Sequence, residues 1–215
     1  MTTGTRKSLR SDSTRAALLA AAERLFAEHG IEAVTHRQIV DAAGQGNNGA
    51  ITYHFGTKAD LVRAIDDHHA PAIAAHIAAK IEQIGDSAEL RDWVRCLVES
   101  LTEHLDSLPG PTWYARFAAQ VMTDPTYQRI ITRNAMQAPM LRRVVDGIGR
   151  AVPDLPAHVR RERNIMMRSM LLYTCAEYER ALAAGRKTPR PHWSGAASGL
   201  VDAIVGLWQA PVTRA

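Results

Sequence analysis

The chain has 215 residues, of which 46% are hydrophobic and 22% are charged, so it can bury a sizeable core and has a globular composition. No apolar run approaches the roughly 20 residues that a membrane span requires. The polar, basic start also lacks the apolar core of a secretory signal. We therefore expect a cytoplasmic protein with no membrane partner. The net charge of +4 favours a polyanionic partner.

The start of the chain is basic. Among the first fifteen residues the only acidic one is Asp12, against four basic ones: Arg6, Lys7, Arg10 and Arg15. We predict a flexible basic arm at residues 1–13. Such arms add phosphate or minor-groove contacts to DNA-binding proteins, and an unstructured solubilising tail is the alternative.

Helical periodicity recurs along the chain, and strand signals are nearly absent. Pro71 and Pro139 should kink or break the helices that contain them, and Ser194 should cap the last helix. The predicted fold class is all-α, with an N-terminal three-helix helix-turn-helix domain (residues 14–62) followed by a larger helical ligand-binding and dimerisation domain (residues 63–215). The predicted helices cover about residues 14–29, 35–43, 48–55, 58–84, 87–107, 112–122, 125–151, 155–184 and 195–209.

The segment THRQIVDAAGQGNNGAITYHFGTK predicts two short helices joined by a glycine turn. Thr35-x-x-Gln38 has the pattern of a capping box, which satisfies free backbone groups at a helix start. Gly44 ends this helix, and Asn47 or Asn48 should cap the next one. A helix, a tight turn and a second helix that is polar outside form the geometry of a major-groove reader.

The second of these helices must approach base edges closely, which requires small or polar side chains, and Asn48, Gly49, Ala50 and Thr52 provide them. Tyr53, His54 and Lys58 should reach phosphates on either side, and such contacts fix register rather than sequence. His36 and Arg37 start the preceding helix, beside an N-terminus that attracts phosphate. The predicted DNA-binding residues are Thr35, His36, Arg37, Asn47, Asn48, Gly49, Ala50, Thr52, Tyr53, His54 and Lys58.

Three successive stretches resemble the TetR (tetracycline-repressor-like) family of transcriptional regulators, over about residues 16–64. They are an apolar helix ending in LFAEHG, then T-x-R-x-I running to AG, then G-x-I-x-YHF-x-x-K-x-x-L. The remaining chain has the length of that family's regulatory domain but no matching motif. The resemblance implies a homodimer with two recognition helices at operator spacing. It also implies an effector that tilts the fourth helix and lowers operator affinity.

Two positions depart from the family's pattern. The gap from Gly44 to His54 is one residue longer than the usual spacing, and Thr52 stands where an aromatic residue is common. Both differences change how the recognition helix sits, so base specificity is not carried over from relatives. The phosphate contacts inferred for Tyr53, His54 and Lys58 are carried over.

The part of the chain after residue 66 contains Met and aromatic side chains that suit either a helical core or the wall of a small-molecule cavity. An acidic effector is an alternative to a largely apolar one, since nine arginines lie between residues 129 and 168. The candidate ligand-binding residues are Trp113, Phe117, Met122, Met170 and Tyr173.

The last two long helices each carry an apolar stripe, and small residues of the last helix allow close helix approach. A helix-turn-helix protein usually needs a two-fold partner to read two half-sites. We therefore predict that the stripes form a dimer interface, with packing inside one chain as the alternative. The predicted interface residues are Met167, Leu171, Tyr178, Leu200, Ile204, Leu207 and Trp208.

Cys96 and Cys175 are isolated and form no CxxC, which favours a reducing compartment over a disulfide framework. We expect both to be small buried apolar groups, with redox sensing by Cys175 as an alternative. His69 and His76 share a helix face, but no carboxylate or cysteine completes a ligand set nearby. We predict no metal site and no cofactor.

The chain contains no GxSxG, Walker A, GxGxxG or HExxH arrangement, so an enzyme is not expected. The leading hypothesis is a homodimeric, sequence-specific DNA-binding transcriptional regulator. It would be a repressor that a small-molecule effector releases from its operator. One alternative is a DNA-binding regulator without a small-molecule ligand, and a helical enzyme is a remote one.

Overall fold

The computed structural model describes residues 3–47, 49–152 and 154–213. Ten α-helices run through these residues, which contain no strand, so the predicted all-α class is confirmed. The helices are α1 (Thr3–His29), α2 (His36–Ala42), α3 (Ala50–His54), α4 (Lys58–Ile84), α5 (Leu90–Ser107), α6 (Tyr114–Val121), α7 (Pro125–Gln137), α8 (Pro139–Ala151), α9 (Ala157–Ala183) and α10 (Trp193–Gln209).

The first helix begins at Thr3, so the prediction of a flexible arm at residues 1–13 was wrong from that residue onward. The segment TRKSLRSDS contains neither Pro nor Gly, and Arg, Lys and Leu are good helix formers. Because these residues carry no apolar stripe, periodicity gave no signal for the helix. Arg6, Lys7 and Arg10 thus lie on a helical backbone. For residues 3–10 the structure describes the backbone only.

The two prolines have different effects. The helix predicted over residues 125–151 is divided into α7 and α8, because Ala138 adopts an extended conformation with ψ 115. Pro139 then takes the first turn of α8, where its missing N–H needs no partner. Pro71 does not break α4, which continues through it. Both Pro71 and Asp67 are exposed, so water can bond the Asp67 carbonyl that Pro71 leaves without a donor.

The last helix starts one residue earlier than its predicted cap. Its N-cap is His192, and α10 begins at Trp193, so the prediction of Ser194 as the cap was wrong. Trp193 is buried. Burial of this ring fixes the start of α10 by packing rather than by a side-chain cap.

A single apolar core connects the N-terminal unit (α1–α3) with the body (α5–α10), and α4 runs between them. In the body, α5 packs against α4, α8 and α10, while α6 lies between α1 and α9. The rings of Phe26 on α1 and Phe117 on α6 stack with centroids 6.4 Å apart. The predicted domain boundary after residue 62 falls inside α4.

Candidate nucleic-acid interface

The predicted capping box at the start of α2 is confirmed. The Thr35 hydroxyl accepts a hydrogen bond from the Gln38 backbone N–H at 3.3 Å, and Gln38 Oε1 accepts one from the Thr35 N–H at 2.8 Å. Ile39 is fully buried, which fixes α2 in the core and leaves Arg37 exposed beside half-buried His36. The polar groups of Thr35 therefore serve the helix start.

The turn between α2 and α3 depends on a glycine and an asparagine. Gly44 ends α2 with φ 65, a conformation that strains any residue with a Cβ. Oδ1 of Asn47 accepts a hydrogen bond from the Gly49 N–H at 2.9 Å. The N-cap of α3 is Gly49, which provides no side-chain cap, so the prediction of Asn47 or Asn48 there was wrong. Asn48 lies outside the described residues.

The short helix α3 buries one side and exposes the other. Ile51 is fully buried, and Ala50 is only 7% exposed, so the prediction that Ala50 faces base edges was wrong. Both neighbours of Ile51 lie about 100° from it around the helix axis, so the sequence pattern does not decide which of them turns toward the core. Thr52 is exposed, and so is Tyr53, whose ring packs edge-on against His54 with centroids 4.9 Å apart.

Tyr53 is the most exposed large hydrophobic residue among the described ones, at 81%. Aromatic rings usually contribute buried area to cores and interfaces. A tyrosine standing free on a short, well-anchored helix therefore indicates a surface that contacts a partner. Its hydroxyl can donate to a phosphate oxygen and accept from another donor.

Lys58 has a structural role that sequence reasoning missed. Its Nζ donates to the carbonyl oxygens of Ile31 at 3.0 Å and Glu32 at 3.4 Å, in the loop after α1. These bonds fasten the start of α4 to that loop. An ammonium group has three donors, which leaves one for an external acceptor such as phosphate.

A second capping box, formed by Thr57 and Asp60, starts α4. The Thr57 N–H donates to Asp60 Oδ2 at 3.1 Å, and the Asp60 N–H donates to the Thr57 hydroxyl at 3.1 Å. Hydrogen bonds from Thr57 hold the pKa of Asp60 below its usual value. The cap fixes where α4 begins, immediately after α3.

The first helix contacts the chain on both sides of α3. The Arg15 guanidinium lies 4.9 Å from the centroid of the Phe55 ring, just after α3. The Thr14 hydroxyl donates to Gln45 Oε1 at 3.5 Å, in the turn before α3. Thr14 and Arg15 directly follow the basic first segment of α1, so that segment ends beside the residues that flank α3.

The five predicted ligand-binding residues do not surround one cavity. Phe117 is 1% exposed and stacks between Phe26 and Tyr114 in the core. Tyr173 is 43% exposed on the outside of α9. The same apolar residue types occur in a core, in a cavity wall and on an outer face. The sequence therefore could not distinguish these three locations.

Two open clefts in the body have other linings, and none of the five candidates belongs to either. The first, of about 420 Å³, is lined by Val145, Asp146, Gly149, Arg150, Arg160, Asn164 and Trp208. The second, of about 460 Å³, is lined by Leu105, Asp106, Leu108, Gly110, Pro111, Thr112, Glu179, Leu182, Ala183, Pro191, His192 and Trp193.

Most residues predicted for the dimer interface are buried inside the single chain. The exception is half-buried Leu207. A side chain already covered by its own chain cannot present area to a partner, so this assignment was wrong and the stripes make intrachain contacts. The buried residues are Met167, Leu171, Tyr178, Leu200, Ile204 and Trp208.

The same two helices expose a different face. Ile165, Met166 and Tyr173 are exposed on α9, and Ala203 and Gly206 are exposed on α10, which packs against α9. Three large exposed apolar side chains on one helix are typical of an interaction surface.

Sequence reasoning also missed a buried polar cluster where α1, α4, α5 and α6 meet. His69 lies between Glu23 and His104 within hydrogen-bond distance of both, and its ring stacks on Tyr114. The Tyr114 hydroxyl donates to Asp66 at 3.3 Å. These residues are separated along the chain, so no local motif signals them.

Among the described residues, no group of three or more His, Cys, Asp or Glu side chains is placed to hold a metal ion. Within the same part of the chain, no helix is long and apolar enough to cross a membrane.

Cys96 and Cys175 are both buried and free, and burial raises their thiol pKa values to about 11 and about 12. Both thiols are therefore protonated at neutral pH.

Two family models match the chain. "Bacterial regulatory proteins, tetR family" matches residues 18–65, and "Tetracyclin repressor-like, C-terminal domain" matches residues 95–206. The HTH-type transcriptional repressor AcnR of Corynebacterium glutamicum is 31% identical over 119 residues, or 54% of this chain and 55% of that protein. The HTH-type transcriptional regulator TtgR of Pseudomonas putida is 42% identical over 57 residues, or 26% and 27%. The chain thus spans about half the length of the former relative and about a quarter of the latter.

A crystal structure from Shewanella sp. PV-4, described as a tetR family transcription regulator, matches the fold. Its TM-score is 0.62 at 18% identity, covering 91% of this chain and 95% of that one. Fold and site together define an all-helical protein with an N-terminal helix-turn-helix. Since the second family model covers just over half of the chain, the chain belongs to the tetR family of bacterial regulatory proteins.

Proposed function

We propose that the protein is a homodimeric, sequence-specific DNA-binding repressor of transcription that acts in the cytoplasm, with α3 as its recognition helix. The observation that carries the proposal is the exposed side of α3. Thr52 and Tyr53 stand free there, while Ile51 anchors the helix in the core. Hydroxyl groups contact phosphates and base edges alike.

Positive charge near α3 supports the same proposal. Arg37 on α2 is exposed, and its Nε lies 3.7 Å from the equally exposed Asp41 carboxylate. An exposed ion pair of this kind is weak and yields readily to a phosphate. The third donor of Lys58, at the start of α4, can add a further contact to a phosphate.

Fluorescence anisotropy with DNA fragments from upstream of the protein's own coding sequence tests this function. We expect binding that prefers one fragment and weakens as salt rises. Tyr53→Ala should weaken binding about tenfold, as removal of one good contact does. The matched control is Met136→Ala, which removes another exposed large side chain, on α7. No preferred fragment, or equal binding by both variants, would contradict the proposal.

We place the dimer interface on the outer face of α9 and α10. Met166 and Tyr173 provide large exposed apolar side chains, and Ala203 and Gly206 allow a close approach of helices. Met166→Arg combined with Tyr173→Arg should raise the monomer fraction in sedimentation, because two charges would have to be buried. Met136→Arg on α7 should leave the oligomeric state unchanged. A dimer that survives the double substitution contradicts this placement.

The proposed regulation is release from DNA by a small-molecule effector, and the second cleft is its proposed site. The buried Glu179 carboxylate lines this cleft and accepts hydrogen bonds from the backbone N–H groups of Ala115 at 3.3 Å and Arg116 at 2.9 Å. Glu179 therefore holds the start of α6, which also packs against α1. A ligand that displaces Glu179 would move the N-terminal unit through α6.

The lining of the second cleft includes Leu105, Leu182 and Trp193, which suits a largely apolar effector. The effector must bind the conformer with low DNA affinity more tightly, since equal affinity would shift nothing. A compound screen by thermal shift tests this, and compounds that stabilise the protein should also release DNA. If no compound releases DNA from a protein that binds it, the regulator works without a small-molecule ligand.

A further inference from the structure

A chain of buried hydrogen bonds crosses from the N-terminal unit to the body. Oε2 of Glu23 on α1 lies 3.0 Å from Nε2 of His69 on α4, and Nδ1 of His69 lies 2.8 Å from Nε2 of His104 on α5. The Tyr114 ring of α6 stacks on His69 with centroids 3.9 Å apart at an angle of 24°. Four helices thus meet at one imidazole ring.

The proton positions follow from what each nitrogen can bond. Nδ1 of His104 has no hydrogen-bond partner among the described residues. A buried N–H without an acceptor is rarer and costlier than a buried lone pair. His104 therefore carries its proton on Nε2 and donates to His69, which in turn donates from Nε2 to the Glu23 carboxylate. Burial lowers the pKa of His104 to about 4, in agreement with a neutral ring.

We propose that His69 and His104 are positioning residues that fix the angle between the N-terminal unit and the body. Bonds of 2.8 and 3.0 Å to the buried ring of His69 tolerate little displacement, whereas the apolar contacts around them can slide. Any rotation of α4 against α5 leaves two ring nitrogens buried without partners, so the arrangement is either kept or broken. Its consequence for α3 at the operator rests on the proposed DNA-binding function.

The first measurement detects the bond itself. In full-length protein labelled with ¹⁵N-histidine, we expect a scalar coupling between Nδ1 of His69 and Nε2 of His104 through the shared proton. His104→Phe keeps a ring of similar shape and should abolish that coupling. A wild-type protein without this coupling would overturn the proposal.

The second measurement detects the angle without DNA. Spin labels on Ala20→Cys in α1 and Asp106→Cys in α5, both at exposed positions, report one intrachain distance when labelled chains are diluted with unlabelled ones. We expect a narrow distribution in the otherwise native chain and a broader one with His104→Phe. The control is Ser100→Ala, because the buried Ser100 hydroxyl bonds only the Cys96 carbonyl of its own helix, at 2.6 Å.

An equally narrow distribution with His104→Phe would overturn the proposal. If His104→Phe does not fold, Glu23→Ala breaks the chain of bonds at its less buried end and should broaden the distances in the same way. A narrow distribution in a folded Glu23→Ala variant would then overturn it.

The third measurement connects the angle to DNA. His104→Phe should weaken operator binding about fivefold without changing its salt dependence, and Ser100→Ala should not. Operator affinity equal to that of the wild type would overturn the positioning role. If the wild-type chain binds no DNA at all, the proposed function fails, whereas the spin-label distances still decide whether His69 and His104 set the angle.

Discussion

The hydroxyl of Tyr127 donates a 2.6 Å hydrogen bond to Oε1 of Glu32, which joins α7 of the body to the loop between α1 and α2. Burial raises the pKa of Tyr127 above its usual value, so the hydroxyl keeps its proton. The loop is also bound by Lys58, through the carbonyls of Ile31 and Glu32. It is therefore held by both the body and α4.

Tyr127→Phe removes this bond and leaves the ring in place. Because Glu32 is exposed and can be rehydrated, we expect the free energy of unfolding to fall by about 1 kcal/mol in chemical denaturation. Tyr53→Phe, measured without DNA, is the control, since the Tyr53 side chain is exposed and its hydroxyl bonds no described residue. A decrease for Tyr53→Phe as large as that for Tyr127→Phe would contradict this account.

Gly147 of α8 lies against the indole ring of Trp93. A Cβ at position 147 would lie 2.2 Å from Trp93 Cδ2, and Trp93 is itself fully buried. Gly147→Ala should therefore destabilise the protein by about 3 kcal/mol and lower its Tm, because overpacking forces side chains or backbone to move. Gly149→Ala, also in α8, would place its Cβ 3.9 Å from Nη1 of Arg160, an ordinary van der Waals contact, and should be neutral or stabilising by up to about 1 kcal/mol. Changes in Tm of the same sign and size in both variants would refute the explanation.

Burial raises the pKa of Asp66 from 3.8 to about 6. The folded protein thus holds this proton more tightly than the unfolded chain does. Above about pH 6 Asp66 is ionised in the folded protein, and its destabilising effect is fully present. This effect disappears as the pH falls from 6 toward 4, because the folded protein then takes up the proton.

Asp66→Asn keeps an oxygen that can accept from Tyr114 and removes the charge. Since Asp66 is only half-buried, we expect a stability gain of about 1–2 kcal/mol at pH 7.5. The gain should vanish near pH 4 in denaturation experiments. Asp67→Asn, at the exposed neighbouring position, is the control. A gain at pH 7.5 that persists unchanged at pH 4 would show that charge burial is not its cause.

The basic start of α1 should contribute to DNA affinity through phosphates. Replacing Arg6, Lys7 and Arg10 together by Ala should reduce the slope of log K against log salt by up to about 2.7, roughly 0.9 for each phosphate that is no longer neutralised. The control removes three exposed basic residues of the body: Arg133, Arg161 and Arg186. Equal changes of slope in the two triple variants would show that only net charge matters.

Local signals were sufficient for the helix-turn-helix. The capping boxes at Thr35 and Thr57 involve residues three positions apart, so their hydrogen bonds can be predicted from spacing alone. The same holds for Asp124, which caps α7 ahead of Pro125 as the pair predicts. The caps at Thr35 and Thr57 thus set where α2 and α4 begin, on either side of α3.

Contacts between distant elements could not be predicted in the same way. The apolar stripe of α9 satisfies the pattern for a core and for a partner equally well, and only packing shows that Leu171 is buried while Tyr173 is exposed. The Glu23–His69–His104 chain joins residues 46 and 35 positions apart. In the sequence, each of these three residues has the pattern of an ordinary helical residue, and only the packing of the helices brings them together.

The position of α6 between α1 and α9 limits how this protein can be recombined with its relatives. A chimera joined after residue 62 would place a foreign body against the buried face of α1, where Phe26 meets Phe117. A chimera with a foreign body and the native DNA preference would therefore also need the inward-facing residues of α1 from the protein that donates the body. The unit of modular exchange in this chain is therefore α2 with α3, which is smaller than the helix-turn-helix domain.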